Sequence, residues 1–379
     1  MILLVNHIRK LYYYTDGEWI LLYEGEMNMQ NDKIPDNAGG GLRGLRASPS
    51  AELLKAVCDA YGISSISDII DLGGSASLNL LATDDHSRYV VRVYRPYVNE
   101  ARLTDIQLAR QKLNAHGIPS SEVLSTLDGQ PYIKFDGRLV EVDKYVESDT
   151  NMDSWERLMA GLPLLGRIHT ILRDVHFSTE GKKNPLFANY IEPQKALGMT
   201  LQGTERIRGW NPSTYNQRLI DAAEELARLV SAAERELVPM LPRQMVHGDY
   251  WDNNVFFRDG RIVLVTDFDF MGERARIDDL ALTLYYFDCS DEPSSEKRFG
   301  RLRSLIDAYD EGLTEHLSMT ERLALPLAMA RQPLWSMGGW IALLDEEEAA
   351  RRHAAGMLGD VEWALRIIRE LDRWQAAFS

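Results

Sequence analysis

The chain has 379 residues, 45% apolar and 26% charged, which excludes disorder throughout and leaves room for two or three compact units. Its 42 basic and 57 acidic side chains give a formal charge of −15, which disfavours nonspecific binding to nucleic acid or anionic membrane and favours a cationic small-molecule partner, or simply solubility. Cys58 and Cys289 are the only cysteines and the apolar run Met1-Ile2-Leu3-Leu4-Val5 is too short for a signal peptide, so no disulfide framework or zinc site is indicated and a cytoplasmic location is expected.

In chain order, Leu11 to Tyr14 and Trp19 to Tyr23 are aromatic, β-favouring runs joined at Thr15-Asp16-Gly17-Glu18, a hairpin signal. Residues 26–50 turn polar and glycine-rich and read as a linker, so residues 1–50 form an N-terminal extension. Ala51 to Tyr61 is a helix stopped by Gly62, followed by strands at Ile66 to Leu72, Leu78 to Thr83 and Tyr89 to Tyr94. The turn Gly73-Gly74-Ser75-Ala76-Ser77 offers amides and hydroxyls suited to phosphate, although many plain turns look alike. Leu139 to Val146 alternates apolar and charged residues as a strand does, and Trp155 to Thr170 is a helix in which His169 reads as packing. Residues 171–214 predict loops and short helices near a substrate entrance, and Asn216 to Leu237 an amphipathic helix. Beyond Phe299 helices are expected near 299–312, 319–344 and 346–377. Trp335, Trp340, Trp363 and Trp374 read as core, and Asp345-Glu346-Glu347-Glu348 as either an ammonium subsite or the negative first turn of a helix.

The chemistry concentrates in His247-Gly248-Asp249-Tyr250-Trp251-Asp252-Asn253-Asn254 and in Val263-Leu264-Val265-Thr266-Asp267-Phe268-Asp269. A hairpin, Asn254 to Phe257 returning through Ile262 to Val265 across Arg258-Asp259-Gly260-Arg261, carries Asp267 back beside Asn254. Asp249 can then accept a hydroxyl proton, while the amide of Asn254 and the carboxylate of Asp267 supply hard oxygen ligands for magnesium on a nucleotide. Asp and Asn that merely cap turns are the bland alternative.

On these residues the chain resembles the kinase-like small-molecule phosphotransferases, among them aminoglycoside phosphotransferases, choline kinases, amino-sugar kinases and kinase-like homoserine kinases. The pattern is His-x-Asp-x-x-x-x-Asn followed by a strand ending in Asp, with Gly248 where protein kinases favour Arg. The resemblance implies an α+β, protein-kinase-like bilobal fold. Residues 51–146 would then form a small antiparallel-sheet N-lobe that binds nucleotide, and residues 147–379 a mainly helical C-lobe for catalysis and substrate binding. It implies Asp249 as catalytic base, Asn254 and Asp267 as Mg²⁺ ligands, and ATP or GTP as phosphate donor. His247 would shape the loop, Asp279 would cap a helix and brace the metal loop, and Asp269 would hold that loop. Gly74 and Ser75 would lie over the phosphates and Arg92, where Lys is commoner, would contact them. The partner of Arg92 would be Gln107 or Asp105, and the neighbourhood of Val142 and Tyr145 would be the adenine hinge. The acceptor would be a small-molecule hydroxyl on an aminoglycoside, an amino sugar, homoserine or choline. A catalytically silent nucleotide-binding module and a protein kinase are the rival readings.

Overall fold

The computed structural model describes residues 11–15, 18–22, 46–74, 77–289 and 294–379. Ser75 and residues 26–45 of the expected linker 26–50 lie outside the described residues. Strands β1 (Leu11–Thr15) and β2 (Glu18–Leu22) pair as the antiparallel hairpin that the Asp-Gly turn predicts.

The helix α1 (Ala51–Tyr61) starts where the Ser50 hydroxyl accepts the Leu53 N–H and stops at Gly62, whose φ of 70° suits glycine. An antiparallel sheet follows: β3 (Asp68–Gly73), β4 (Leu78–Thr83) and β5 (Arg88–Val93), then, after helix α2 (Glu100–Ala115), β6 (Ile133–Phe135) and β7 (Arg138–Lys144), in the order β3-β4-β5-β7-β6. Alternation sorts its side chains. Leu78, Leu80, Val91, Val93, Val140 and Val142 pack against Leu53 and Val57 of α1. The register Asn79↔Arg92↔Glu141 puts the intervening residues on the opposite face, which looks into the cleft.

The remainder is mainly helical. After β8 (Thr150–Asn151) come α3 (Trp155–Arg173), the single turn α4 (Thr179–Lys182), α5 (Pro193–Arg208) and α6 (Thr214–Leu237). Strands β9 (Arg243–Val246), β10 (Val255–Arg258), β11 (Arg261–Val265) and β12 (Gly272–Ala275) frame the motif loops, with β11-β10-β8 in one small sheet and β12-β9 in another. Helices α7 (Ile277–Asp288), α8 (Glu296–Glu311), α9 (Met319–Trp335), α10 (Glu347–Ala354), α11 (Met357–Arg369) and α12 (Leu371–Phe378) complete the chain. Among the described residues no helix is long and apolar enough to cross a membrane. Leu103, Ile106, Ala109 and Leu113 of α2 pack into the same apolar cluster as these helices.

Three helical expectations are corrected. The segment 171–214 contains the long helix α5, whose glycines lower its propensity; Gly203 is there because a Cβ would strike the Met337 carbonyl. The expected helix 319–344 gives way at Ser336–Ile341 to a π-helical turn, where Gly338 lies close against Met199. The stretch 346–377 is three helices, divided near Gly356 and Glu370. The four tryptophans are buried, and Glu347 and Glu348 form the first turn of α10.

Helix α3 crosses α8 at bare backbone, since a Cβ on Gly166 would meet the Tyr309 carbonyl and Gly312. Gly166→Ala is expected to destabilise the protein by about 1–3 kcal/mol through overpacking, read as a lower unfolding midpoint. An unchanged midpoint would show that the crossing yields freely.

Candidate active site

Hairpin β10–β11 turns at Asp259 and Gly260, both with positive φ (50° and 73°), the geometry of a tight primed turn. It leaves Asn254 and Asp267 side by side, the Thr266 N–H donating to the Asn254 carbonyl (3.0 Å). Asp267 takes φ 65°, ψ 55°, a left-handed conformation that Asp tolerates better than most residues. The Asn254 amide donates to the Asp249 carbonyl (2.8 Å) and to Asp249 Oδ2 (2.9 Å), which leaves the amide oxygen for another partner. The structure thus brings Asp249, Asn254 and Asp267 into one small space.

Burial, followed by the nearby charge of Asp267, pushes the Asp249 carboxyl up to about 8. Burial pushes His247 down to about 4, so it is neutral at pH 7. Its Nδ1 accepts the Asp249 N–H (3.2 Å), and its Nε2–H donates to the Thr266 carbonyl (3.0 Å). His247 thereby ties the two motif loops together. Gly248, with φ 87°, carries no Cβ because one would collide with the Phe270 carbonyl and with Arg274, which explains glycine after the histidine.

Asp279 does not cap its own helix, as the sequence suggested. Its carboxylate instead accepts the Gly248 N–H (2.9 and 3.0 Å) and a hydrogen bond from His169 Nε2 (3.1 Å), while His169 Nδ1 accepts from the Tyr309 hydroxyl (2.7 Å). Burial raises the Asp279 carboxyl, but the hydrogen bond from His169 and the nearby Arg274 charge outweigh it and leave the group below the usual range. The crossing of α3 over α8 therefore sets where the loop carrying Asp249 begins.

Arg92 meets neither Gln107 nor Asp105. It pairs with Asp267 (2.6 Å) and Asp269 (2.8 Å), and Asp269 also accepts from the Ser77 hydroxyl (3.0 Å). Burial raises the Asp269 carboxyl, yet Arg92 and Arg95 together hold it below the ordinary range. Gln107 donates to Glu141 (2.6 Å) beside Arg110, and Asp105 faces Ser178, since the register sets Glu141 rather than Arg92 opposite that part of α2. Gly74 opens the turn with φ 118°. Val142 is not open to a ligand, because its side chain is buried and its carbonyl accepts the Leu124 N–H (2.8 Å). Tyr145, just past β7, is covered by the Arg88 guanidinium at 4.4 Å.

Four further groups at the site carry no sequence signal. Asn189 donates to Asp249 Oδ1 (2.6 Å). Arg95 lies against Asp269 (3.8 Å) and over the Phe270 ring (4.4 Å). Arg102 reaches from α2 to the Asp269 and Met271 carbonyls (2.7 and 2.6 Å), and Arg274 donates to the Phe270 carbonyl (2.5 Å). No local spacing links these positions to the motif. Ser77, by contrast, stood within the named turn.

One amide oxygen and one carboxylate suit magnesium, which keeps several waters and takes the rest of its ligands from phosphates. Among the described residues no group of three or more His, Cys, Asp or Glu could hold a metal by itself. Asn254 and Asp267 are the pair that fits an ion shared with a nucleotide.

The metal-free protein is expected to lose stability as pH rises from about 6.5 to about 8. The folded pKa of Asp249 lies above its unfolded value of about 3.9, so its contribution is complete below that value and is lost as pH rises through about 8. His247 acts oppositely, costing stability as pH falls from about 6.5 towards about 4. Asp143 and Asp252, pushed by burial to about 6, act at lower pH. The slope is limited to about 1.4 kcal/mol per pH unit, and Asp249→Asn should flatten it in melting experiments with EDTA. A slope that survives the substitution would assign it elsewhere.

A profile described as the phosphotransferase enzyme family matches residues 69–312. A homoserine kinase of Zymomonas mobilis is 27% identical over 255 residues, covering 66% of this chain and 73% of that protein. A microcompartment-associated aminopropanol kinase superposes with a TM-score of 0.63 at 17% identity, over 85% of this chain and 98% of its own. An amicoumacin kinase in complex with AMP-PNP, Ca²⁺ and Ami gives 0.60 at 14% identity, over 86% of this chain and 94% of its own. These likenesses carry the kinase-like fold, with its antiparallel sheet in the N-terminal part and helix-rich remainder.

Proposed function

Because the chain belongs to the phosphotransferase enzyme family and is a small-molecule phosphotransferase, we propose that it transfers the γ-phosphate of ATP to a hydroxyl of a small molecule. The observation that carries this reading is the Asp249 carboxylate, buried between two amide donors and beside the Asn254–Asp267 pair. Asn254 and Asp267 hold Mg²⁺, and the Asp249 carboxylate accepts the acceptor's hydroxyl proton. The ion, when bound, neutralises phosphate charge, offsets the charge of Asp267 and so favours the ionised form of Asp249. Arg92 meets the nucleotide's phosphates from the sheet side, and His247 and Asp279 hold the loop that carries Asp249. Positioning and charge neutralisation supply most of the acceleration, as in phosphoryl transfer generally.

Homoserine and aminopropanol head the acceptor candidates because the compared proteins carry those names, with aminoglycosides, amino sugars and choline behind them. The test is release of ADP from Mg-ATP, and of GDP from Mg-GTP, across that panel. One acceptor should stimulate release that depends on both metal and Asp249. If no acceptor raises it and background hydrolysis ignores Asp249→Asn, the proposal fails.

A further inference from the structure

We propose that Asn189 is a positioning residue that fixes the Asp249 carboxylate, and that helix α2 holds it in place through a strap formed by residues 178–192. The proposal rests on the phosphotransfer reading above. The two oxygens of Asp249 meet amides from different directions, Asn189 at Oδ1 (2.6 Å) and Asn254 at Oδ2 (2.9 Å). Two opposed donors prevent the carboxylate plane from turning. Asn254 belongs to the same loop as Asp249 and is anchored to its carbonyl, whereas Asn189 lies sixty positions earlier and depends on whatever fixes its own backbone.

That backbone is pinned along nearly its whole length. The Ser178 N–H (3.1 Å) and hydroxyl both donate to Asp105 of α2, and Gly181 carries no Cβ because one would collide with the same carboxylate. One turn earlier on α2, Arg102 donates to the Glu180 and Lys183 carbonyls (3.3 and 3.0 Å). The Asn184 amide donates to the Glu273 carbonyl (3.3 Å), the Tyr97 hydroxyl to the Leu186 carbonyl (3.0 Å), and Arg331 to the Ile191 carbonyl (3.0 Å). Ala188, next to Asn189, is buried.

Helix α2 therefore grips two things at once. The same Arg102 side chain that holds the strap also donates to the carbonyls of Asp269 and Met271, in the loop that follows Asp267. Asp105 and Arg102, one turn apart on one face, set the strap and the metal loop in a common frame. A displacement of α2 would move Asn189 relative to Asp249 without touching either residue, and misplacement by about 1 Å can cost on the order of 10²-fold in rate.

The experiment uses the full chain and Mg-ATP with water as acceptor, so no acceptor need be known. Asn189→Ala should lower kcat by about 10²-fold while KM for ATP and the unfolding midpoint stay unchanged. A side chain present only for packing would lower the midpoint instead. Asp105→Ala should also lower kcat, and should speed tryptic cleavage at the exposed Lys182 and Lys183, which Asn189→Ala should not. The double variant should be no slower than the slower single one, because both lose the same positioning. Ser178→Ala, which removes the hydroxyl's bond to Asp105 and its cap on the Gly181 N–H but keeps the Ser178 N–H bond, replaces Asp105→Ala if that variant does not fold, with the same cleavage expected. Wild-type kcat in Asn189→Ala, with Asp249→Asn inactive, overturns the role of Asn189 alone. Multiplying effects in the double variant overturn the strap as its carrier. Absence of Asp249-dependent hydrolysis in the wild type defeats the ATP reading, and this inference with it.

Discussion

Asp249→Asn is expected to lower phosphoryl transfer by about 10²–10⁴-fold while leaving nucleotide binding intact. The substituted amide has the size of the carboxylate; its one oxygen accepts from Asn254, and its NH2 donates to Asn189 once that side chain turns its own amide oxygen inward, so the loop has no reason to move. What it loses is the capacity to take a proton. Stability should not fall, because the carboxyl is buried and stands beside the charge of Asp267, both of which already disfavour its ionised form. The measurements are ADP release under saturating Mg-ATP and acceptor, together with nucleotide affinity in the same buffer. Turnover near the wild-type rate would remove Asp249 from the mechanism, and lost nucleotide binding would give it a structural task instead.

Asp267→Asn is expected to strike the metal rather than the proton. Asn accepts a left-handed backbone as readily as Asp, so the φ of 65° is preserved, and Arg92 keeps its partner Asp269 at 2.8 Å. The fold should therefore stand. Removing the charged ligand should raise the Mg²⁺ needed for half-maximal turnover by more than the ~10–100-fold that losing a ligand's outer partner costs. A magnesium titration of ADP release reads this directly. A superimposable titration would mean that the ion is held elsewhere.

The kinase-like architecture could be read from the sequence because its signals are local. Alternation in Leu78 to Thr83 and Tyr89 to Tyr94, the Asp259-Gly260 turn and the amphipathic run after Asn216 each declare one element. The same locality holds for Asp249, Asn254 and Asp267, which one short hairpin gathers. Asn189, Arg95, Arg102 and Arg274 reach the cleft from other elements, and nothing in the spacing of one sequence says that they meet. The resemblance sets Gln107 or Asp105 against Arg92, but Gln107 meets Glu141 of the neighbouring strand and Asp105 meets Ser178. Asp279 is expected both to cap its helix and to brace a motif loop; no cap bond forms, because a carboxylate within a first helical turn can instead reach another loop's N–H, here that of Gly248. Gly203 and Gly338 weakened the pattern of two helical stretches for reasons of close backbone approach that only packing reveals.

The guanidinium bridging Asp267 and Asp269 has a consequence for how the protein lives between turnovers. Since Arg92 and Arg95 together already offset both acids, the cleft does not rely on a divalent ion to keep like charges from driving it apart. Scarcity of that ion would then silence the catalyst without unravelling it. An idle population would persist intact, ready to resume as soon as supply returned.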